Sequence, residues 1–508
     1  MWQQHKGPCK EMAARAKAKA ESDAAEAAEA EKAKEEADDI QTLCSAGCGE
    51  VALERCSLCA GAKYCGRKCQ KKHWPEHKGP CKRAVVTRNQ IGDTIEVVDK
   101  RIEGFKRDAE AGNAHAQCCL GICYERGTGV TVDKREAVKW YTRAAESGNS
   151  GAQCNLGLCY EKGTGVTVDH REAVKWYKRA AEGGDSDAQF NLGLCYEKGT
   201  GVTVDLREAV KWYTRAAEGG QSDAQYNLGV CYDNGTGVSV DLREAVKWYT
   251  RAAESGNVNA QFNLGVCYDN GTGVTVNQRE STKWFTRAAE GGRSDAQYNL
   301  GLCYENGTGV TADHREAVKW YKRAAEGGDS DAQYNLGLCY AKGTGVTIDL
   351  REAVKWYKRA AEAGNSAAQF NLAISYDDGQ GVVVDKHEAV KWYTRAAESG
   401  NVKAQNNLGN FYMTGDGVAV DKRKAFTWYK RAADAGLISA QTALGNCYFC
   451  GNGIDVDKQE AIKWINLAAK AGDAIAQEVL GYCYKTGDGV AIDIQESNKW
   501  YAMAAVPR

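Results

Sequence analysis

The sequence is poor in proline and has no long apolar run, and each shortage excludes a class of structure. Only 4 prolines occur in 508 residues, against 56 glycines, so the chain predicts helices that end at glycine. No uninterrupted apolar stretch approaches the roughly 20 residues that span a bilayer. The N-terminal residues also lack the apolar segment of a secretory signal. We therefore expect a helical protein without a membrane partner.

The sequence also lacks an excess of positive or negative charge. The chain has 66 basic and 67 acidic residues, so its net charge favours neither nucleic acid nor an anionic membrane surface as a partner. No P-loop and no Ser/His/Asp constellation is recognisable, and we expect no small-molecule substrate. The chain is accordingly predicted not to be an enzyme.

Cysteine is abundant, but its placement argues against a disulfide scaffold. Most of the cysteines beyond residue 81 recur singly at intervals of 36 residues. Equivalent positions on packed helices lie about 10 Å apart, whereas a disulfide needs Cα atoms within roughly 7 Å. We therefore interpret this row as small buried hydrophobic residues in a reducing compartment, and predict a cytoplasmic and/or nuclear protein. The row is Cys123, Cys159, Cys195, Cys231, Cys267, Cys303, Cys339, Cys447 and Cys483.

A repeat of 36 residues occupies most of the chain, because eleven tryptophans from Trp140 to Trp500 are spaced by 36 without an insertion. Eleven units fill positions 113–508. In the seventh unit the apolar spacing predicts a first helix over 331–342 that stops at Gly343. Asp349 and Glu352 form a D-x-x-E capping signature for a second helix, whose apolar stripe includes Trp356 and Tyr357. One such hairpin cannot bury its apolar face alone, so the units are expected to stack into an all-α solenoid.

The unit pattern A-x-x-x-LG-x-x-Y-x-x-G-x-GV-x-x-D-x-x-x-A-x-x-W(Y/F)-x-x-A-A resembles the Sel1-like repeat, a relative of the tetratricopeptide repeat. The resemblance implies a right-handed α/α superhelix that serves as a scaffold for protein–protein interaction. Residues 102–112 match the second half of a unit, so 84–112 is predicted to be a degenerate N-terminal half-repeat cap.

An asparagine recurs on the first helix of units two to nine. Tetratricopeptide relatives use such an asparagine to hold a peptide backbone, whereas a structural asparagine would bond the backbone of a neighbouring repeat. We favour the structural role for most of the row. Units eight to eleven depart from the common surface, so Asn371 and Asn407 are the candidate peptide-binding residues of the solenoid. The departures are Ser375, Phe411, Met413, Phe449, Cys450 and Tyr482.

Residues 44–81 carry a second pattern, C-x3-C-x7-C-x2-C-x5-C-x3-C-x7-H-x3-C. Seven cysteines and one histidine form four closely spaced pairs. Two closed tetrahedral zinc sites require eight such ligands. Disulfide pairing would leave one cysteine unmatched. Because no ligand position is left for a catalytic water, the two Zn²⁺ ions are predicted to be structural.

This stretch, with Tyr64–Cys65 and CQ-x-x-HW-x-x-HK, resembles the MYND-type zinc finger, and we place that domain at 41–83. The resemblance implies a cross-brace and a groove for short proline-containing peptides, in which Gln70 and Trp74 are candidate contacts. A purely structural role of Trp74 in packing the finger is the alternative. The implied zinc ligands are Cys44, Cys48, Cys65 and Cys69 for one ion, and Cys56, Cys59, His77 and Cys81 for the other.

Two segments precede the finger. Residues 11–40 are rich in Ala, Glu and Lys with i,i+4 charge pairs, which predicts an exposed helical linker. Residues 1–10 nearly copy Trp74–Lys82, the closing turn of the finger, so we interpret them as a remnant of a truncated upstream finger. The native chain is then expected to extend N-terminally, with a decayed remnant as the alternative.

The leading hypothesis is therefore a non-enzymatic adaptor whose finger binds one peptide and whose solenoid engages a second protein. MYND fingers also occur in SET-domain methyltransferases, but the repeats leave no room here for a SET fold. The finger carries nine basic and three acidic side chains, an excess that the thiolates reduce when zinc binds. A transcriptional co-regulator that contacts nucleic acid through the finger is the alternative function.

Overall fold

The computed structural model describes residues 102–505, which contain helices and turns and no strand. A helical segment at 102–110 is followed by eleven hairpins, one per repeat, which we number one to eleven. The first helices of the hairpins are α1 (Ala114–Arg126), α3 (Ser150–Lys162), α5 (Ser186–Lys198), α7 (Ser222–Asn234), α9 (Val258–Asn270), α11 (Ser294–Asn306), α13 (Ser330–Lys342), α15 (Ser366–Asp378), α17 (Val402–Thr414), α19 (Ile438–Cys450) and α21 (Ala474–Thr486). The second helices are α2 (Lys134–Glu146), α4 (His170–Glu182), α6 (Leu206–Glu218), α8 (Leu242–Glu254), α10 (Gln278–Glu290), α12 (His314–Glu326), α14 (Leu350–Glu362), α16 (Lys386–Glu398), α18 (Lys422–Asp434), α20 (Lys458–Lys470) and α22 (Ile494–Ala504).

The chain divides into two compact units, Met1–Ser255 and Gly256–Arg508. In the first unit, α1 to α8 stack as four hairpins, each packed on the one before it. In the second unit, α9 to α22 stack as seven hairpins in the same way. The predicted all-helical solenoid of 36-residue hairpins is thus confirmed. The finger, the linker and the segment 1–10 lie outside the described residues.

The helix ends follow from the caps that the sequence supplies. In repeat seven, the Asp349 carboxylate accepts a hydrogen bond of 3.0 Å from the Glu352 backbone N–H. Gly343 takes a φ of 75° and donates its N–H to the Cys339 carbonyl over 2.8 Å, which ends α13. The reciprocal half of the capping signature is not formed, because the Asp349 backbone N–H donates to the Tyr340 carbonyl over 2.9 Å and the Glu352 carboxylate pairs with Lys355 at 2.7 Å. The second helix is therefore capped by Asp349 alone.

In nine of the eleven hairpins a glycine lets an aromatic ring approach the first helix, whereas repeat eight has Ala373 at this position and repeat ten packs Ile465 on its glycine. A Cβ built on Gly337 would lie 2.6 Å from two ring carbons of Tyr357, which is closer than real Cβ atoms approach. Equivalent contacts join Gly193 to Tyr213 in the first unit and Gly301 to Tyr321 in the second. The second helix thus packs directly on the backbone of the first, and the tyrosine side chain is buried.

Adjacent hairpins are joined by a buried glutamine. The Gln333 side-chain amide donates to the Ala325 carbonyl, at the end of the preceding hairpin, over 3.0 Å. Gln153 and Gln189 make the same bond in the first unit, each over 3.0 Å. The Ala325 carbonyl also accepts from the Gly328 backbone N–H over 3.2 Å, so the glutamine adds a second hydrogen bond to a carbonyl in the last turn of a helix. Within each unit, the bond fixes a hairpin on its predecessor.

The tryptophans and the recurring cysteines belong to the core, as predicted. Trp356 packs against the apolar cluster of repeat six, and the Arg359 guanidinium lies 4.7 Å from the centre of its ring. Every member of the cysteine row is buried, and its sulfur is present as a thiol. Burial raises the pKa of Cys159 and of Cys195 to about 12, so these thiols stay protonated and unreactive near neutral pH.

A first prediction concerns the contact between glycine and tyrosine. Gly337→Ala should destabilise the second unit by about 1–3 kcal/mol, because the added methyl group would lie 2.6 Å from two carbons of the Tyr357 ring and the ring or the helix must shift to admit it. Urea unfolding followed by circular dichroism measures the change. Gly151→Ala is the matched control, since its added Cβ meets no atom closer than 3.6 Å and alanine favours a helix over glycine by about 1 kcal/mol. Equal unfolding midpoints for the two variants would contradict this account.

A second prediction concerns thiol reactivity. Of the 13 described cysteines, only Cys450 is exposed. Brief treatment of the native protein with iodoacetamide should therefore alkylate Cys450 ahead of the other twelve, as read by peptide mass spectrometry. Comparable labelling of Cys195 and Cys450 would show that the repeat cysteines are not protected by packing.

Candidate functional site

Three recesses lie where the later repeats depart from the common pattern, all in the second unit. The repeat-seven cavity has a volume of about 150 Å³ and lies between α13, α14 and α15. The repeat-eight pocket, of about 350 Å³, is lined by residues of α15, α16, α17 and the turn that follows α17. The terminal cleft, of about 590 Å³, involves α19, α21 and α22.

The repeat-seven cavity arises at a position where other repeats carry an acidic residue. In repeats one, two and three, the second-helix tyrosine donates its hydroxyl to a glutamate of the first helix over 2.7–2.8 Å. Tyr321 and Glu305 make the same bond over 2.5 Å in repeat six. Repeat seven has Ala341 in place of the glutamate, and both Ala341 and Tyr357 line the cavity.

The wall of this cavity combines buried and exposed polar groups. Tyr357 and Ser375 are buried, whereas Lys342 and Gln380 are exposed. The Ser375 hydroxyl donates to the Asn371 carbonyl over 2.9 Å. Burial raises the pKa of Tyr357 to about 12, and the Asn371 side chain, hydrogen-bonded to it, opposes the rise. Tyr357 is therefore a neutral phenol near pH 7, with a proton to donate.

The repeat-eight pocket is built around a lysine that links two repeats. The Lys386 ammonium pairs with Asp377 of its own repeat, and lies 3.6 Å from Asp416 in the turn of repeat nine. It also lies 6.0 Å from the centre of the Phe411 ring. The hydrogen bond that Lys386 donates to Asp377 is the main cause of its raised pKa, so Lys386 remains charged. The pocket is accordingly polar, with one apolar wall.

The asparagine row makes contacts that differ from the predicted ones. The Asn155 amide lies 4.0 Å from the Cys118 sulfur, and Asn191 lies 3.9 Å from the Cys154 sulfur, each in the preceding repeat. In the second unit, Asn335 contacts the Tyr298 hydroxyl of the preceding repeat at 3.5 Å. These asparagines do connect neighbouring repeats, but through side chains rather than through the backbone. The reason is that the neighbouring helix presents its side chains, and not its hydrogen-bonded carbonyls, at this level.

The two candidate asparagines lie at recesses. Asn371 lines the repeat-seven cavity and Asn407 lines the repeat-eight pocket. Their part in peptide binding remains a prediction.

The terminal cleft is the most apolar of the three recesses. Phe449 and Tyr482, both predicted as departures from the common surface, line it together with Val479 and Tyr501. The Tyr482 side chain is 52% exposed, which is unusual for a large aromatic residue on a first helix of these repeats. Asn446 and Glu478 add polar groups to the wall.

Sequence reasoning missed Ala341, Gln380, Lys386 and Asp416. A signal was available for three of them, because Ala341 stands where most repeats have Glu or Asp, and Gln380 and Asp416 stand where repeats one to seven have Thr. Their consequence could not be seen in one repeat alone, since each recess takes its wall from two successive hairpins.

The described part of the chain holds no cluster of three or more His, Cys, Asp or Glu side chains arranged for a metal ion. The eight predicted zinc ligands and the finger residues Gln70 and Trp74 fall outside that part. Those eight ligands would supply seven thiolates and one imidazole, which are the soft and borderline donors that zinc selects. Among the described helices, none is both long and apolar enough to cross a membrane.

Comparison with known proteins agrees with this architecture. The family model "Sel1 repeat" matches eleven consecutive segments between residues 114 and 505, and the model "MYND finger", a zinc-binding domain, matches residues 44–81. The crystal structure of c5321, a protective antigen of uropathogenic Escherichia coli strains with an SLR fold, has a TM-score of 0.74 and 39% identity. The alignment covers 80% of this chain and 86% of that one.

Curated relatives match over short stretches. Human histone-lysine N-methyltransferase SMYD3 is 62% identical over 34 residues, 7% of this chain and 8% of its own. SET domain-containing protein 14 of Caenorhabditis elegans is 33% identical over 87 residues, 17% of this chain and 20% of its own. This chain thus covers a fifth or less of their lengths, and the SMYD matches are confined to the finger rather than to a catalytic domain.

Matches to the repeat model cover well over half of the residues and reproduce the hairpin boundaries of the structure, so the chain belongs to the Sel1 repeat family and carries a MYND finger ahead of its repeats.

Proposed function

We propose that this chain is a non-enzymatic adaptor, in which the finger captures a short peptide of one protein and the later repeats bind a second protein. The observation that carries the proposal is the position of the recesses. They lie along repeats seven to eleven, and each is lined by at least one side chain that departs from the common unit, namely Ala341, Asp416 and Tyr482. A solenoid of the Sel1 family is a scaffold for protein–protein interaction, so a local surface of this kind fits a partner site.

In the finger, the proposal assigns two structural zinc ions. Cys44, Cys48, Cys65 and Cys69 would hold one ion, and Cys56, Cys59, His77 and Cys81 the other. Bound zinc supplies the folding free energy that so short a segment cannot obtain from a core. Gln70 and Trp74 would then contact a short proline-containing peptide.

Joining two binding modules in one chain has a physical advantage. Once one partner is bound, the second meets its site at an effective concentration set by the intervening segment. The cytoplasm or the nucleus suits the many free thiols of the repeats, which require a reducing environment. The partners are other proteins, engaged through short peptide motifs.

A third prediction is a count of metal ions. The full chain should contain two zinc ions, measured by inductively coupled plasma mass spectrometry after gel filtration. Cys44→Ser and Cys81→Ser should each lower the count, because each removes a ligand from a different closed site. Cys9→Ser is the matched control and should leave two ions, since His5 and Cys9 alone cannot close a site. A count of one ion in the unaltered chain would refute the assignment of eight ligands.

A fourth prediction tests the partner sites in the full chain. Affinity capture from lysate, followed by quantitative mass spectrometry, should give one set of proteins lost with Trp74→Ala and another lost with Asn407→Ala. Asn191→Ala is the matched control for the solenoid, because it removes the equivalent asparagine in repeat three, outside the recesses. If both solenoid variants retain the same proteins, the later repeats are not the binding surface. If Trp74→Ala instead abolishes salt-sensitive DNA retention, the co-regulator alternative gains support.

A further inference from the structure

The repeat-seven cavity lies where other repeats of the same chain hold an acidic side chain. Glu197 of repeat three accepts a hydrogen bond of 2.8 Å from Tyr213, which is the counterpart of Tyr357. Ala341 stands in the position of Glu197 and ends at its Cβ, while Tyr357 keeps the position of Tyr213. The cavity of about 150 Å³ between Ala341 and Tyr357 is large enough for the missing carboxylate.

The hydrogen bonding of Tyr357 also favours a carboxylate as the ligand of the cavity. For Tyr213, nearby Glu197 contributes to its raised pKa, whereas the causes at Tyr357 include burial and no carboxylate of the described residues. Asn371 and Tyr357 both line the cavity, and the Asn371 side chain, hydrogen-bonded to the phenol, lowers the pKa of Tyr357. Because no carboxylate of the described residues accepts from the Tyr357 hydroxyl, its proton is available to an acceptor in the cavity.

The entrance of the cavity adds positive charge. Lys342 is exposed at the rim, and it forms no ion pair with any residue that the structure describes. Gln380 also lines the cavity; its amide donates one hydrogen bond of 3.2 Å to Asp378 and keeps a second N–H for an acceptor. A buried hydroxyl donor, an amide donor and an ammonium group together match a carboxylate.

We propose that the repeat-seven cavity binds the carboxylate of an acidic side chain from a partner protein, which enters between Lys342 and Gln380 and accepts the hydroxyl proton of Tyr357 in a hydrogen bond. The inference rests on the proposed function, because it names the chemistry of the peptide that the later repeats recognise. It assigns specificity to Ala341, the residue whose short side chain opens the cavity. In repeats with glutamate at this position, the chain supplies the carboxylate itself.

The chemistry of the site can be tested without a partner. Fluorine NMR of 3-fluoropropionate with the full chain should show line broadening that 3-fluoropropionamide, its neutral analogue, does not show. Ala341→Glu should abolish the broadening, since an internal carboxylate then fills the cavity. Tyr357→Phe should weaken binding about tenfold, because a hydrogen bond to a charged group is lost. Circular dichroism establishes that each variant is folded.

The converse variant is Glu197→Ala combined with Thr236→Gln, which recreates the cavity in repeat three beside Lys198, Tyr213 and Asn227 and places a glutamine at the position of Gln380. It should add a second site and roughly double the number of fluoropropionate molecules bound. Broadening that survives in Ala341→Glu, equal broadening by the amide, or no second site in the double variant would each overturn the proposal.

A further arm identifies the source of the carboxylate. Fluorescent capped peptides that differ only in one glutamate or glutamine should bind the full chain in the order glutamate over glutamine, and Ala341→Glu should remove the difference. Binding of fluoropropionate without any preference among the peptides would indicate a small organic acid and overturn the assignment to a partner side chain. Neither result depends on Asn407, so this proposal and the proposed adaptor function can fail separately.

Discussion

The close approach of Tyr357 to Gly337 sets the geometry on which the rest of a repeat depends. With no side chain on the glycine, the ring lies against the first helix, and its hydroxyl reaches the residue one turn beyond, at position 341. In most repeats that residue is acidic and the hydroxyl is satisfied inside the hairpin. The same contact that closes a hairpin therefore determines where a recess opens when the acidic residue is absent.

Much of the fold could be predicted from the sequence because each repeat carries residues that mark where its helices begin and end. Aspartate before the second helix and glycine after the first are local signals, and the period of 36 residues aligns them in every unit. The core residues could be predicted for the same reason, since Trp356 and Tyr357 occupy one face of one helix. The recesses could not be predicted in this way, because their walls come from consecutive hairpins and depend on the lengths of particular side chains.

The contacts of the asparagine row could be predicted from the sequence only in part. Its recurrence correctly indicated a contact between repeats, but the partner is a side chain of the preceding repeat, which is Cys118 of a first helix for Asn155 and Tyr357 of a second helix for Asn371. The sequence cannot specify which group of a neighbouring helix lies at a given height, since that depends on how far one hairpin is shifted along the next. The two asparagines at recesses were distinguishable only by the departures around them, Ser375 and Phe411.

The glutamine that joins each hairpin to its predecessor has a consequence for how such a chain can change in length. Because Gln153 and Gln189 make identical bonds to equivalent carbonyls, a whole unit can be gained or lost between them with every buried bond re-formed. Duplication of one repeat would then alter the distance along the chain between the finger and the recesses in steps of 36 residues, and leave both binding chemistries intact. The length of the solenoid can therefore change by whole repeats while the residues that line the recesses stay the same.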